Sequence, residues 1–285
     1  MGIVKHFWTI IKPGIIFGNL VTVIGGFFLG SGRYIDTWLF IATIIGTSLI
    51  IASGCVFNNF IDRDIDQIMQ RTKNRVLVKG LLSPYTAFAY ATVLGVLGLA
   101  LLYSQTNLLA FVVAFIGLFV YVVIYSLWLK RNSVFATLIG SISGAVPILV
   151  GYCAATNMFD LGAILLFLIL SLWQMPHSYA IAIYRLNDYQ QAKIPVLPVK
   201  KGIYQTKIHM LIFTIMFVVA TLMLTIFGYT GITYFFVACG SGIGWIWLCI
   251  LGFKTDNDKS WARRMFIFSI IVIVLLCVMM ALDPR

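Results

Sequence analysis

The sequence predicts an all-α polytopic membrane protein, nine transmembrane helices in a single domain over residues 1–285, and three observations predict it. Hydrophobic residues make up 61% of the chain and charged residues only 10%, with a mean hydropathy of +1.00, far from a soluble globular composition. Nine apolar runs, near 14–31, 38–59, 86–104, 108–127, 136–154, 161–182, 207–228, 232–252 and 264–282, each have roughly the 20 residues that cross a bilayer as helix. With the N-terminus in the cytoplasm, alternation through nine spans puts every lysine and arginine except Arg33 and Arg285 on the cytoplasmic side. A missed or extra span would scramble that positive-inside pattern. The net charge of +11 therefore reads as topology rather than nucleic-acid binding. No cleavable signal is evident in Met1–Pro13. The five cysteines stand singly in apolar segments, with no metal spacing.

Taken in order, Lys12-Pro13-Gly14 opens the first helix, where proline is tolerated in the first turn. Asn19 inside it is expected to bond a neighbouring helix, with ligand contact as the alternative. The second helix carries small Ser53 and Gly54, then delivers Asn58 and an aspartate cluster. Ser104–Asn107 is an uncharged connection outside. The fourth helix ends in Tyr121, Tyr125, Trp128, Lys130 and Arg131: an interfacial belt with topological charges, or cations reaching a phosphate. Gly140, Ser141, Ser143, Gly144 and Pro147 predict close packing and a kink in the fifth helix. The sixth runs through Trp173, Gln174, Pro176 and His177 to Tyr184, Arg185, Asn187 and Asp188, placing polar groups at membrane depth where they are costly. Helical spacing would align His177, Tyr184 and Asp188 on one stripe. His177 is either a hydrogen-bonded core histidine, a haem contact or a proton handler. Ile194–Lys201 reads as an ordered cytoplasmic loop with two prolines, while His209 and Gly240, Gly242 and Gly244 read as packing.

The chemistry concentrates in residues 58–79. All nine acidic residues are Asp, and Asp62, Asp64 and Asp66 fall within five positions. Asn58, Asp62 and Asp66, at i, i+4 and i+8, project from one helical face while Asp64 points away. Carboxylates this close resist ionisation unless a cation compensates. Their oxygens suit magnesium, which takes one or two carboxylates plus phosphate oxygens, and the Arg71, Lys73, Arg75 and Lys79 that follow suit the phosphate. A solvated loop is the plain alternative. An EF-hand fails, because Gln67 and Lys73 stand where Gly and Glu are required.

Asn58-xxx-Asp62-xxx-Asp66 resembles the first aspartate-rich motif of the intramembrane prenyltransferase superfamily. The strings CVFNNFIDRDIDQIMQRTKNR and WQMPHSYAIAIYRLNDYQQAKIPVLPV resemble its haem-farnesylating branch, over nearly the whole chain. The resemblance implies helices around a central cavity in a bacterial inner membrane, lidded by cytoplasmic loops, and an isoprenyl diphosphate held through Mg2+. It makes Asn58, Asp62 and Asp66 a first metal site and adds Asp188 from a second, with Asp62, Asp66 and Asp188 catalytic. Arg71, Arg75, Lys130 and Arg131 would take the diphosphate, and His177 and Tyr184 are candidates to contact haem. The second motif is commonly DxxxD, whereas here Ala192 follows Asp188 at i+4 and Tyr184 precedes it, which leaves a second metal open. The implied reaction joins farnesyl diphosphate and haem B, with water addition, to give haem O. A haem-modifying enzyme or terminal oxidase would take the product. Prenylation of a quinone precursor, and a polytopic transporter, are the alternatives.

Overall fold

The computed structural model describes residues 2–32 and 34–285, so the expectation for Arg33 lies outside the described residues. Nine helices among the described residues are long and apolar enough to span a membrane: α2 (Pro13–Ser31), α3 (Thr37–Ile61), α5 (Pro84–Gln105), α6 (Leu108–Phe119) with its continuation to Asn132, α8 (Ala136–Thr156), α9 (Leu161–Tyr184), α11 (Leu197–Ile226), α12 (Ile232–Leu251) with its extension to Lys254, and α13 (Asp258–Leu282). Short helices α1 (Ile3–Ile10), α4 (Arg63–Ile68) and α10 (Leu186–Gln191) gather at one end of the bundle, and α7 (Lys130–Asn132) closes the fourth span there. The spans start where local chemistry allows. Asp36, Ser83, Asn107, Asp160 and Asn257 each accept a backbone N–H of the first turn they precede, satisfying donors a helix start leaves open.

Packing follows from small residues. Helix α2 lies against α8, α13 and α3, and α9 against α8, α11 and α13. At the α2/α8 crossing, a Cβ on Gly26 would stand 2.2 Å from the Ile148 carbonyl, and one on Gly151 2.2 Å from that of Val23, so only glycine permits this backbone approach. Trp245, Trp261, Tyr234 and Phe217 fill the core among the C-terminal helices.

Four local expectations are corrected. Asn19 donates to Ile15 O of its own helix at 2.8 Å, not to a neighbour. Only part of Ile194–Lys201 is loop: α11 already starts at Leu197, because Pro198 fits a first turn, and Gly202 with φ 80° then turns the chain into the span. The fourth span is not α-helical throughout, since Val120–Leu129 is π-helical. Tyr121 and Tyr125 do not form an interfacial belt. They stack with centroids 5.8 Å apart, and Gly54 and Gly140, lacking side chains, let the two rings in between helices.

Candidate metal and diphosphate site

Helix α3 ends at Ile61, yet its face continues. Asp62 N donates to Asn58 O at 2.9 Å and Asp66 N to Asp62 O at 2.8 Å across the α3/α4 junction, keeping the i, i+4 register. Asn58, Asp62 and Asp66 therefore share one face and are buried, at 6%, 0% and 3% exposure. Asp64 points away and is exposed, held by both terminal nitrogens of Arg131 at 2.7 Å. That bidentate bond to the guanidinium keeps its carboxyl below the usual range.

Cations from three separate stretches converge on this face. Lys130 pairs with Asp62, and Arg75 with Asp66. Lys12 donates to Asn58 Oδ1 at 2.8 Å, and Asn58 Nδ2 passes the chain on to Asp62 Oδ2 at 2.7 Å. Arg75 is brought back because residues 69–82 fold as consecutive turns: Thr72 Oγ1 donates to Asp66 O at 3.0 Å, and Val76 and Leu82 bury against Ile10, Val56, Ala87 and Ala91. Lys130 arrives at the end of the π-helical stretch, one turn beyond Ser126, whose hydroxyl lies 3.5 Å from Asn58 Nδ2.

Lys12 escaped the sequence reading. A lysine just before Pro13 looks like a topology charge, and nothing local discloses that its backbone takes φ 54° and turns the side chain to the acidic face. Burial, then the positive charge of Arg75, pulls its pKa down to about 7.

Asp188, 8% exposed, joins the two motifs by accepting Gln70 N at 3.2 Å. The nearby apolar cluster of Ile65, Met69 and Ile194 seals that contact. His177 and Tyr184, seven apart on α9, both meet α13, at Phe266 and Ser269 and at Lys259, but Asp188 leaves the expected stripe. Helix α9 runs on past Pro176 but stops at Tyr184, and Arg185, with φ −112° and ψ 27°, redirects the chain into α10. Tyr184 is left between cations, 4.5 Å from the Arg185 guanidinium and 5.9 Å from Lys259 Nζ. His177 sits deeper, against Trp173 and α13. Arg71 is exposed beside the site, and Arg131 is turned to Asp64 rather than to the cluster.

The donor set fits a hard divalent cation. Asp62 Oδ1 is buried with no hydrogen-bond partner among the described residues. Asn58 and Asp66 put further oxygens on the same face. Among the described residues no three carboxylate, imidazole or thiolate groups form a ready-made cage. Magnesium accepts such an arrangement, since it keeps waters and takes phosphate oxygens from its substrate.

Comparison with known proteins bears on this geometry. Residues 19–271 match the UbiA prenyltransferase family. A protein of Photorhabdus laumondii subsp. laumondii, named protoheme IX farnesyltransferase, is 58% identical over 282 residues, 99% of this chain and 96% of that one. One of the same name from Pseudomonas savastanoi pv. phaseolicola is 59% identical over 279 residues, covering 98% and 95%. Among solved structures, a digeranylgeranylglyceryl phosphate synthase superposes with a TM-score of 0.81 at 21% identity, over 98% of this chain and 97% of that one. A UbiA homolog from Archaeoglobus fulgidus bound to GPP and Mg2+ gives 0.73 at 14%, over 97% and 99%. At these identities the structural likeness speaks for the fold.

Proposed function

The chain belongs to the UbiA prenyltransferase family, and from that premise we propose that it transfers the farnesyl group of farnesyl diphosphate to a vinyl group of haem B, with addition of water, giving haem O and diphosphate. It is a multi-pass membrane prenyltransferase, and relatives 58–59% identical over nearly its full length carry the name of this activity. The observation that carries the reading here is the buried face of Asn58, Asp62 and Asp66 with three cations converging on it.

In this reading Asn58, Asp62, Asp66 and Asp188 hold Mg2+, and the unpartnered Asp62 oxygen is a ligand. The metal, when bound, supplies a Lewis acid on the diphosphate oxygens. Lys12, Arg75 and Lys130 neutralise the charge that grows on those oxygens as the allylic C–O bond breaks. Exposed Arg71 attracts the incoming anion. Arg131 does not meet the phosphate; it anchors Asp64 and the end of α3 through Ile61 O. Gly54, which admits Tyr121, is one helical turn before Asn58, so Tyr121 lies one turn deeper than the motif, and Tyr125 stacks on it one turn nearer Lys130. Their ring faces stabilise the allylic cation. The vinyl electron pair of haem B forms the new C–C bond to the farnesyl C1 while diphosphate leaves with the C–O pair. The cation left beside the porphyrin takes up water, which loses a proton. His177, and Tyr184 nearer the mouth, contact the haem.

The protein resides in a bacterial inner membrane with its N-terminus and this site on the cytoplasmic side, and a haem-modifying enzyme or terminal oxidase receives the product. Purified protein with haem B, farnesyl diphosphate and Mg2+ forms haem O, and Asp62→Ala loses this activity while keeping its elution profile in detergent. Turnover of an aromatic quinone precursor instead of haem, or unchanged turnover in Asp62→Ala, would overturn the reading.

A further inference from the structure

His177 is held by three neighbours. Its ring stacks on Trp173, centroids 4.4 Å apart and planes 24° from parallel, and the tilted Phe266 ring lies 5.0 Å away. Its Nδ1 lies 2.7 Å from the hydroxyl of Ser269, a fully buried residue of α13. Trp173 donates its indole N–H to the Ser269 carbonyl at 2.8 Å, so both side chains of α9 are aimed by one residue of α13.

The direction of the 2.7 Å bond can be read. Ser269 Oγ also lies 2.6 Å from Phe266 O, and a carbonyl can only accept. The single hydroxyl proton is therefore on that bond, since two oxygens at this distance would otherwise repel. The hydroxyl must accept from the ring, and His177 carries its proton on Nδ1. Nε2 is left with its lone pair, and it has no partner among the described residues. The ring is only partly buried.

Resting on the reading of haem B as substrate, we propose that His177 Nε2 ligates the haem iron and that Ser269 is the positioning residue that fixes the tautomer for it. An imidazole that binds a metal through one nitrogen characteristically donates the other N–H to a fixed acceptor, which sets ring orientation and raises ligand basicity. Iron held by a histidine is a common haem attachment. His177 is seven residues before Tyr184 at the end of α9, which puts it about 10 Å deeper than the mouth. A porphyrin ligated there would sit on the membrane side of the diphosphate face. Axial ligation thus places the porphyrin without using the Asp cluster.

The test is spectroscopic and independent of turnover. Wild-type protein loaded with haem B shows the absorption and resonance Raman signature of an imidazole-ligated iron. His177→Ala loses it, and added imidazole restores it. Ser269→Ala weakens haem affinity by about tenfold and shifts the iron–imidazole stretch, Ser269→Thr recovers both, and His209→Ala changes neither. A wild-type spectrum without an imidazole ligand, or a His177→Ala spectrum equal to wild type, overturns the proposal. If His177→Ala does not fold, the wild-type spectrum and the Ser269 pair decide it. Haem O formation by the same wild-type sample tests the farnesyl-transfer reading separately: turnover without imidazole ligation sinks this inference alone, whereas ligation without turnover sinks that reading.

Discussion

Lys12 shows how a single half-buried cation shapes this site. Its ammonium is bonded to Asn58, and through that amide to Asp62, so removing it disturbs the acidic face without removing a carboxylate. A hydrogen bond to a charged group contributes about 1.5–3 kcal/mol. Lys12→Met is expected to raise KM for farnesyl diphosphate at least about tenfold and to change kcat less, as measured by steady-state kinetics at saturating haem. Lys12→Arg should retain most of the affinity, because the guanidinium keeps the charge. An unchanged KM in the methionine variant would show that this lysine serves topology only. The Asp62→Ala prediction belongs to the same scale: Asp62 is fully buried between Asn58 and Lys130.

Among the elements, the π-helical stretch Val120–Leu129 does what a regular α-helix of the same sequence would not. Each i→i+5 bond takes one more residue into the ring than an α-turn does, so the residues after it are rotated about the axis. Inserting one alanine after Val123, which faces outward, would advance every later residue by one helical step and swing Lys130 by about 100° about the axis. We expect that variant to lose at least about tenfold in turnover, since it removes a charge-assisted bond to Asp62. Adding Lys130→Ala on top should cost little more, the non-additivity expected of one shared interaction. A full further loss from the second change would separate the two. The α2/α8 crossing is a second test at this scale. Gly26→Val must push against the Ile148 carbonyl, and overpacking of that kind costs about 1–3 kcal/mol, read as a fall in the detergent melting temperature.

For the whole molecule, the alternation of spans places the 62–83 segment, the end of the fourth span and α10 at one end of the bundle. The Asp160 and Asp283 contacts lie at the other, where Tyr152 and Tyr229 donate to Asp160 and Gly231 N and Tyr234 N bond Asp283. Cysteine placed at Lys79 should be labelled by a membrane-impermeant maleimide only after the cells are opened, and cysteine at Ser104 in intact spheroplasts; both positions are exposed. The reverse pattern would move the site to the other side of the membrane and defeat the proposed orientation. Four native cysteines, Cys55, Cys153, Cys249 and Cys277, are buried, and Cys239 is half-buried within the α12 span, so a Cys239→Ser background suits the experiment.

The nine spans and the common face of Asn58, Asp62 and Asp66 were legible from the sequence by itself, because both depend on short-range rules. A bilayer demands continuous apolar helix, and residues four apart in a helix stand above one another. The fate of individual charges was not legible. Lys12 reaches Asn58 across 46 positions, Lys130 reaches Asp62 across 68, and Gln70 N reaches Asp188 across 118. Arg131, next to Lys130, goes instead to Asp64. Those partnerships were decided only by the tertiary structure, because ion pairs form at contact distance, and contact between distant segments is set by how the helices pack, by a π-turn in one of them, and by one lysine with positive φ.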